Sequence, residues 1–526
     1  MRSCRFFATR VRIEKINETI YLNFWGPSSM YSLETIAHKT KQEIIEFQNR
    51  KLHRFLNEQL YPFSPHYRRL FDEHKINPRN IKSIHDLKHI PFTSKKDFIV
   101  SDQESEKIRD FILQPDQEKI RRAWPVNKLL EMAALSVLKG KEYVSEQIAD
   151  EYRPVFITFT TGTTARPVPF VYSSHDVRNL HRSGQRMIEL FEMKSTDHVV
   201  NFFPYAPHLA FWQVVFGGLA ANVLILSTGG GKVLSSEGNV QALLRMKPSV
   251  ILGVPSYVYH VLRMAKEKAY DLSFVRKVIL GASRVSAAFK IRLADLLASM
   301  GANDVSIFGT YGFTEARCAW AECPTKPGVS SGYHLYPDQE IFEIIDPNTG
   351  EVKNEGENGE LVYTSIDSRG SAVVRYRTGD FVKGGITYAP CPFCRRTMPL
   401  ISSDITRFSD VRNLQLSKIK GTLVDLNNLA QALSDIEVIT EWQVEIRKKD
   451  NDPDEIDELT IYASIKNGVN KEHLGEEIKG KVSLSTEVSP NNVIFLSLAE
   501  MIKRLELETG SKEKRILDLR SVAEGR

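Results

Sequence analysis

The sequence predicts an α/β protein: a large N-terminal domain of helix-covered, mainly parallel sheets with a β-rich subdomain, followed by a small α+β C-terminal domain. Three observations predict it. Short β-branched or aromatic runs alternate with amphipathic stretches over residues 154–308, the pattern of a parallel sheet with helices on its faces. The texture changes after Gly332 to short strands parted by turn signals, and near Arg407 to a mixture of strands and helices. At 526 residues the chain also exceeds what a single core supports, so two or more domains are expected.

Residues 1–150 read as helical, with apolar positions at three- and four-residue spacing around Leu52, Phe55 and Leu60, followed by Pro- and Asn-bearing breaks. They name no chemistry. Strands are expected at 155–161, 199–203, 223–226, 250–254, 277–280 and 305–308. The β-rich subdomain spans 332–406, where Asp346-Pro347-Asn348-Thr349-Gly350 is the clearest turn. The large domain is thus 1–406 and the small one 407–526, with no internal repeat and no low-complexity tract between them.

The composition excludes several classes. Hydrophobic residues at 42% and charged ones at 26% are ordinary globular values, so disordered and fibrous chains are set aside. A net charge of +5 over this length is too thin to imply a nucleic-acid partner. Arg447-Lys448-Lys449 is met at once by the acidic stretch 450–458, as in a solvated turn between strands. No run approaches a membrane helix, and residues 1–12 are basic but lack the apolar core of a secretory signal, so a cytoplasmic protein is expected. A cleaved organelle presequence has the same basic, acid-poor composition. Five cysteines in so long a chain point to metal rather than to a disulfide scaffold.

Three stretches carry chemistry. The first is Phe159-Thr160-Thr161-Gly162-Thr163-Thr164-Ala165-Arg166-Pro167, a loop of small residues after an apolar strand. Its N–H groups can surround an anion, to which hydroxyls and Arg166 add donors. The second is Phe308-Gly309-Thr310-Tyr311-Gly312-Phe313-Thr314-Glu315, at the end of a buried strand, where open α/β sheets place their ligands. There Gly309 and Gly312 let backbone approach a flat ligand, Tyr311 offers a stacking face, and Glu315 suits magnesium bridging phosphate oxygens. The third is Val374-Arg375-Tyr376-Arg377-Thr378-Gly379-Asp380, whose Asp380 can accept from two ribose hydroxyls. Alone, each stretch also fits an ordinary turn, the second a strand-to-helix turn in particular. Gly229-Gly230-Gly231-Lys232 is not a nucleotide loop, because Leu226 replaces the opening glycine and Val233 follows the lysine; a surface turn is expected.

Taken together and in this order, the three stretches resemble the adenylate-forming superfamily of acyl-coenzyme A ligases. Closer detail is similar to the phenylacetate-coenzyme A ligase branch: Gly281-Ala282-Ser283-Arg284, Glu343-Ile344-Ile345-Asp346-Pro347, Arg375-Tyr376-Arg377-Thr378 and Cys391-Pro392-Phe393-Cys394. The resemblance runs from about residue 154 to the C-terminus. It implies ATP-dependent activation of a small carboxylic acid to an acyl-adenylate, then transfer to coenzyme A. It assigns the triphosphate to Thr160, Thr161, Gly162, Thr163, Thr164 and Arg166, and magnesium to Glu315. Adenine falls to Gly281, Ala282, Ser283 and Tyr311, flanked by Gly309, Thr310 and Gly312; Thr314 falls at the α-phosphate and Asp380 at the ribose. It also implies a catalytic lysine, which counting back from Asp518 selects as Lys512 over Lys514, and a mobile small domain hinged near 407–410. The chain departs from the family at Ala165 and Arg166, where glycine and lysine are usual, in the missing acidic residue of the 281–284 turn, and in Phe408, inserted at the hinge.

Cys323 and His334, eleven positions apart, join the Cys391/Cys394 pair as a candidate structural zinc set, with Cys318 as an alternative ligand. Residues 204–212, Pro-Tyr-Ala-Pro-His-Leu-Ala-Phe-Trp, resemble the family's acyl pocket, and aromatic walls suit an aryl or arylacetic acid. Phe211 and Trp212 equally suit a core, and His208 reads either way. Transfer to an amine or hydroxyl acceptor, and a non-catalytic nucleotide-binding scaffold, are the competing functions. The sequence leaves monomer and homodimer open.

Overall fold

The computed structural model describes residues 33–98, 107–160, 167–231, 233–407, 416–419, 422–448, 457–486, 488–507 and 513–520. The basic N-terminal stretch, the hinge residues 408–410 and Lys512 lie outside them. The N-terminal part is helical, and its longest helix, Lys41–Phe55, opens on a reciprocal cap between Thr40 and Glu43. Ile44, Gln48, Leu52 and Phe55 form its buried face at helical spacing.

Two strands, β1 (Pro154–Phe159) and β2 (Pro169–Ser173), form a separate antiparallel ribbon. The sequence pattern placed 155–161 first in a parallel series, and the structure corrects this. The connection 160–168 is too short for the crossover that parallel neighbours need, so the chain turns straight back.

The main sheet is nine-stranded. Its parallel half comprises β3 (His198–Asn201), β4 (Leu224–Ser227), β5 (Val250–Gly253), β6 (Lys277–Leu280) and β7 (Ser306–Phe313) in the order β7-β6-β5-β3-β4. β5 is buried along its whole length, as a strand covered on both faces must be. Helices Ser236–Met246, Pro255–Glu267 and Ala287–Ala298 cover one face through Leu243, Val258, Leu262 and Leu293. Helices Ser174–Leu190 and Leu209–Ala220 cover the other through Leu190, Phe211 and neighbours of Ile279 and Phe308.

β7 runs five residues beyond the expected end at Phe308, because it changes partner. It pairs in parallel with β6 up to Gly309 and antiparallel with β8 (Cys318–Ala321) from Thr310. The motif from Phe308 to Glu315 is therefore strand followed by a turn, not the start of a helix. β9 (Tyr333–His334) continues the antiparallel half beside β8.

The β-rich part forms a four-stranded antiparallel sheet of β10 (Glu340–Ile345), β11 (Gly359–Ser365), β12 (Tyr376–Val382) and β15 (Ile405–Arg407). β13 (Ile386–Thr387) and β14 (Leu400–Ile401) join the edge of the main sheet instead. This sheet shares its core with the N-terminal helices, as Phe98 against Tyr376 shows at 5.9 Å between ring centroids. The C-terminal part carries a ribbon of β16 (Leu416–Ile419) and β17 (Thr422–Asp425), and a second sheet. In that sheet β18 (Ile439–Lys448) and β19 (Asp457–Ile465) run antiparallel at the centre, with β20 (Asn492–Phe495) and β21 (Ile516–Asp518) outside them. Leu429, Leu433, Val444, Ile461 and Ile478 form a core of their own there.

Candidate active site

The β1–β2 ribbon carries the first candidate stretch as its connecting loop. Thr160 N–H donates to Val168 O and Val168 N–H donates to Thr160 Oγ1, each at 3.0 Å, which clamps the loop's two ends. Thr161, Gly162, Thr163, Thr164 and Arg166 lie outside the described residues. Beside the clamp, Phe159 N–H donates to Pro207 O at 2.7 Å and His208 Nδ1 lies 2.9 Å from Phe159 O. His208 thus fastens the segment 204–212 to the ribbon.

The second and third stretches face each other. Tyr311 Oη donates to Asp380 Oδ2 at 2.6 Å, and Tyr376 Oη donates to Glu315 Oε1 at 2.7 Å. Residue 311 stands opposite 380 and 315 opposite 376, so the two segments pass antiparallel, bridged twice by phenol–carboxylate bonds. Asp380 is nine-tenths buried, and its N–H is held by Thr378 Oγ1 at 3.0 Å. The side chains of Tyr311, Thr314 and Glu315 are half-buried, and Gly312 is exposed.

The 281–284 turn lies against β7. A Cβ on Gly281 would stand 2.4 Å from Thr310 Oγ1, so only glycine lets the turn come this close. Thr310 Oγ1 donates to Leu280 O at 2.9 Å, and Ala282 adopts the left-handed region at φ 68°. Ser283 follows in the same turn, and Arg284 pairs with Asp404 at 2.9 Å, just before the expected hinge. Gly309 N–H donates to the carboxylate of Glu322, itself paired with buried Lys290 at 2.6 Å. This bond anchors Gly309 within the strand.

Tyr376 has a place that the sequence reading gave no role. The signal was present, since residues four apart on a strand share a face and 376 stands four before Asp380. The Gly229-Gly230 turn differs from expectation: both glycines are buried, at φ 74° and 71°, and a Cβ on Gly230 would stand 3.2 Å from Phe202 O. It is packed under Pro204 and Tyr205 instead of lying on the surface.

Cys323, His334, Cys391 and Cys394 bring one ligand atom each within 4.8 Å of one another. Cys323 and Cys391 sulfurs are 3.7 Å apart, and His334 Nε2 is 3.2 Å from Cys394 Sγ. Two sulfurs on a tetrahedral zinc stand about 3.8 Å apart, from Zn–S bonds of roughly 2.3 Å, so the set fits that ion. His334 Nδ1 lies 3.3 Å from Ala321 O, the orientation that leaves Nε2 as the ligand atom. Cys318 is elsewhere: its sulfur lies 3.8 Å from Glu340 Oε2, and burial pushes its thiol well above the usual range.

Residues 84–368 match the AMP-binding enzyme family, more than half of the chain, and the protein belongs to that family. Within it the chain falls in the phenylacetate-coenzyme A ligase-like branch. It is 24% identical over 507 residues to the phenylacetate-coenzyme A ligase of Aromatoleum evansii, an alignment covering 93% of this chain and 97% of that one. Among solved structures it resembles 2-hydroxyisobutyryl-CoA ligase in the postadenylation state in complex with R3-HIB-AMP, with TM-score 0.71 and 18% identity over 95% of this chain and 94% of that one. Against the same ligase in the thioesterification state with 2-HIB-AMP and CoA the TM-score is 0.57, at 18% identity and 95% coverage of each chain.

Proposed function

We propose that this protein activates a small aryl or arylacetic acid with ATP and transfers the acyl group to coenzyme A. The observation that carries the reading is the double bridge between the β7 end and β12, which joins Tyr311 to Asp380 and Tyr376 to Glu315. In the first half-reaction a carboxylate oxygen attacks the α-phosphorus of ATP, and the bond to pyrophosphate breaks. Two anions must meet, so charge neutralisation is the main demand on the protein. The hairpin loop with Thr163 and Arg166 supplies N–H, hydroxyl and guanidinium donors to the triphosphate. Glu315 would hold magnesium, which would supply positive charge against the phosphate oxygens. Asp380 takes the ribose hydroxyls, the 281–283 turn and Tyr311 frame adenine, Thr314 lies at the α-phosphate, and Lys512 bridges carboxylate and phosphate. In the second half-reaction the coenzyme A sulfur attacks the acyl carbon and AMP departs.

The four-ligand cluster is assigned to a structural zinc. Its donors are all protein atoms, so no position stays open for catalysis. The aromatic run Tyr205, Phe211 and Trp212, with neighbouring centroids 5.2 and 5.3 Å apart, supports an aryl acid. Acid-dependent pyrophosphate release, with product analysis in the presence and absence of coenzyme A, tests the reading. A thioester formed only with coenzyme A is the expected result. A product on an amine or hydroxyl would replace the acceptor, and ATP binding without acid-dependent release would leave a scaffold.

A further inference from the structure

An apolar chamber of about 50 Å³ lies between the helix pair Ser174–Leu190 and Leu209–Ala220 and the main sheet, walled by Gly184, Met187, Gly217, Leu252 and Ile279. Packing does not explain it away. A Cβ on Gly184 would stand 2.3 Å from the Gly217 Cα, so the two helices already touch through backbone and cannot close further over the void.

One polar side chain is among the residues lining this chamber, that of Gln213, which is 4% exposed. Its orientation follows from its neighbour. Ser183 Oγ donates its proton to Leu180 O at 3.0 Å, so it can only accept from the amide, and Gln213 Nε2 donates to it at 3.2 Å. Gln213 Oε1 is therefore the atom left over, and it is buried without a hydrogen-bond partner. Native interiors seldom keep a bare acceptor beside apolar walls unless something is to fill the place.

The chamber also stands in line with the nucleotide-facing turn. Leu252 and Ile279 each lie one residue before the last residue of β5 and β6, hence roughly 3 Å below the ends of their strands. The ring of Phe203 comes within 3.3 Å of a Cβ on Gly281 and belongs to the same core cluster as Leu252 and Ile279, and Gln213 follows Phe211 and Trp212 on one helix.

We propose that the chamber is the distal end of the acyl pocket and that Gln213 Oε1 accepts a hydrogen bond from a hydroxyl on the far side of the substrate ring. The substrate class is then hydroxylated aryl or arylacetic acids. This rests on the acid-activating function proposed above. A water needs roughly 10–15 Å³ by the same measure, so the chamber takes a hydroxyl and the adjoining ring edge, not a long acyl chain.

The test compares kcat/KM for pyrophosphate release by the full chain with phenylacetic, 4-methylphenylacetic, and 3- and 4-hydroxyphenylacetic acids, in the wild type and in Gln213→Met. The wild type is expected to favour a hydroxylated acid over its methyl counterpart on the order of tenfold to a hundredfold. Gln213→Met is expected to abolish or reverse that preference. If this variant loses several degrees of thermal midpoint, Ser183→Ala, which frees the amide to turn its N–H₂ inward, is expected to lower the same ratio. Equal use of all four acids by the wild type, or a preference unchanged in a folded variant, overturns the chamber assignment alone. No release with any carboxylic acid overturns the acid-activating reading itself, and the chamber assignment with it.

Discussion

Glu340 shows how much a single buried group can set. It accepts from Tyr336 N–H at 2.8 Å and from Trp320 Nε1 at 2.5 Å, beside the Cys318 sulfur. Burial pushes its carboxyl from 4.5 up to about 8, against the opposing effect of those two hydrogen bonds. A raised folded pKa means that the native state holds a proton which the unfolded chain releases between those values. Stability contributed by Glu340 is therefore complete below pH 4.5 and declines as pH rises to about 8. Glu340→Gln keeps the hydrogen-bonding shape and removes the ionisation. Denaturant unfolding as a function of pH should show its slope in this window shallower than the wild type's by up to about 1.4 kcal/mol per pH unit. Arg186, bidentate to Asp338 at 2.8 and 2.7 Å with both side chains at most 1% exposed, is the complementary case. Arg186→Met should cost about 3–5 kcal/mol by leaving Asp338 buried and unpaired, measured by the same unfolding experiment.

At the scale of elements, the clearest prediction concerns the strap made by β8, β9 and the 391–394 turn. Cys391→Ser with Cys394→Ser should lower bound zinc from one ion per chain towards none, read by elemental analysis, and lower the thermal midpoint by roughly 5 °C or more. Retention of stoichiometric zinc would contradict the assignment. Most elements were legible because their patterns are local: the 277–280 strand matches β6 residue for residue, and Leu52, Phe55 and Leu60 are all buried. What was not legible depends on partners far along the chain. Whether 155–161 joins a parallel sheet or a ribbon depends on what its neighbour does, and the extension of β7 to Phe313 depends on β8 accepting it. The burial of Gly229 and Gly230 likewise follows from Pro204 and Phe202, which no spacing rule connects to them.

For the whole molecule, the candidate site could be read as a set of segments but not as a surface. Sequence order singled out Tyr311, Glu315 and Asp380, whereas the direct bonds Tyr311–Asp380 and Tyr376–Glu315 needed the fold. Burial raises the pKa of Glu441 on β18, and Arg263, on a helix of the main sheet, lowers it by a smaller amount. If the small domain swings between half-reactions, Lys512→Ala should abolish adenylate formation yet still transfer a supplied acyl-adenylate to coenzyme A, measured by thioester yield. Loss of both halves together would mean that the lysine serves the fold. The claim beneath all of this is that distant segments hold one adenylate. Calorimetric titration with a non-hydrolysable sulfamoyl-adenosine mimic of an aryl acyl-adenylate tests it most directly. The account predicts binding by the wild type and an affinity at least about tenfold weaker in Asp380→Asn, which keeps an acceptor for Tyr311 and removes the charge; equal affinity in both proteins would contradict it.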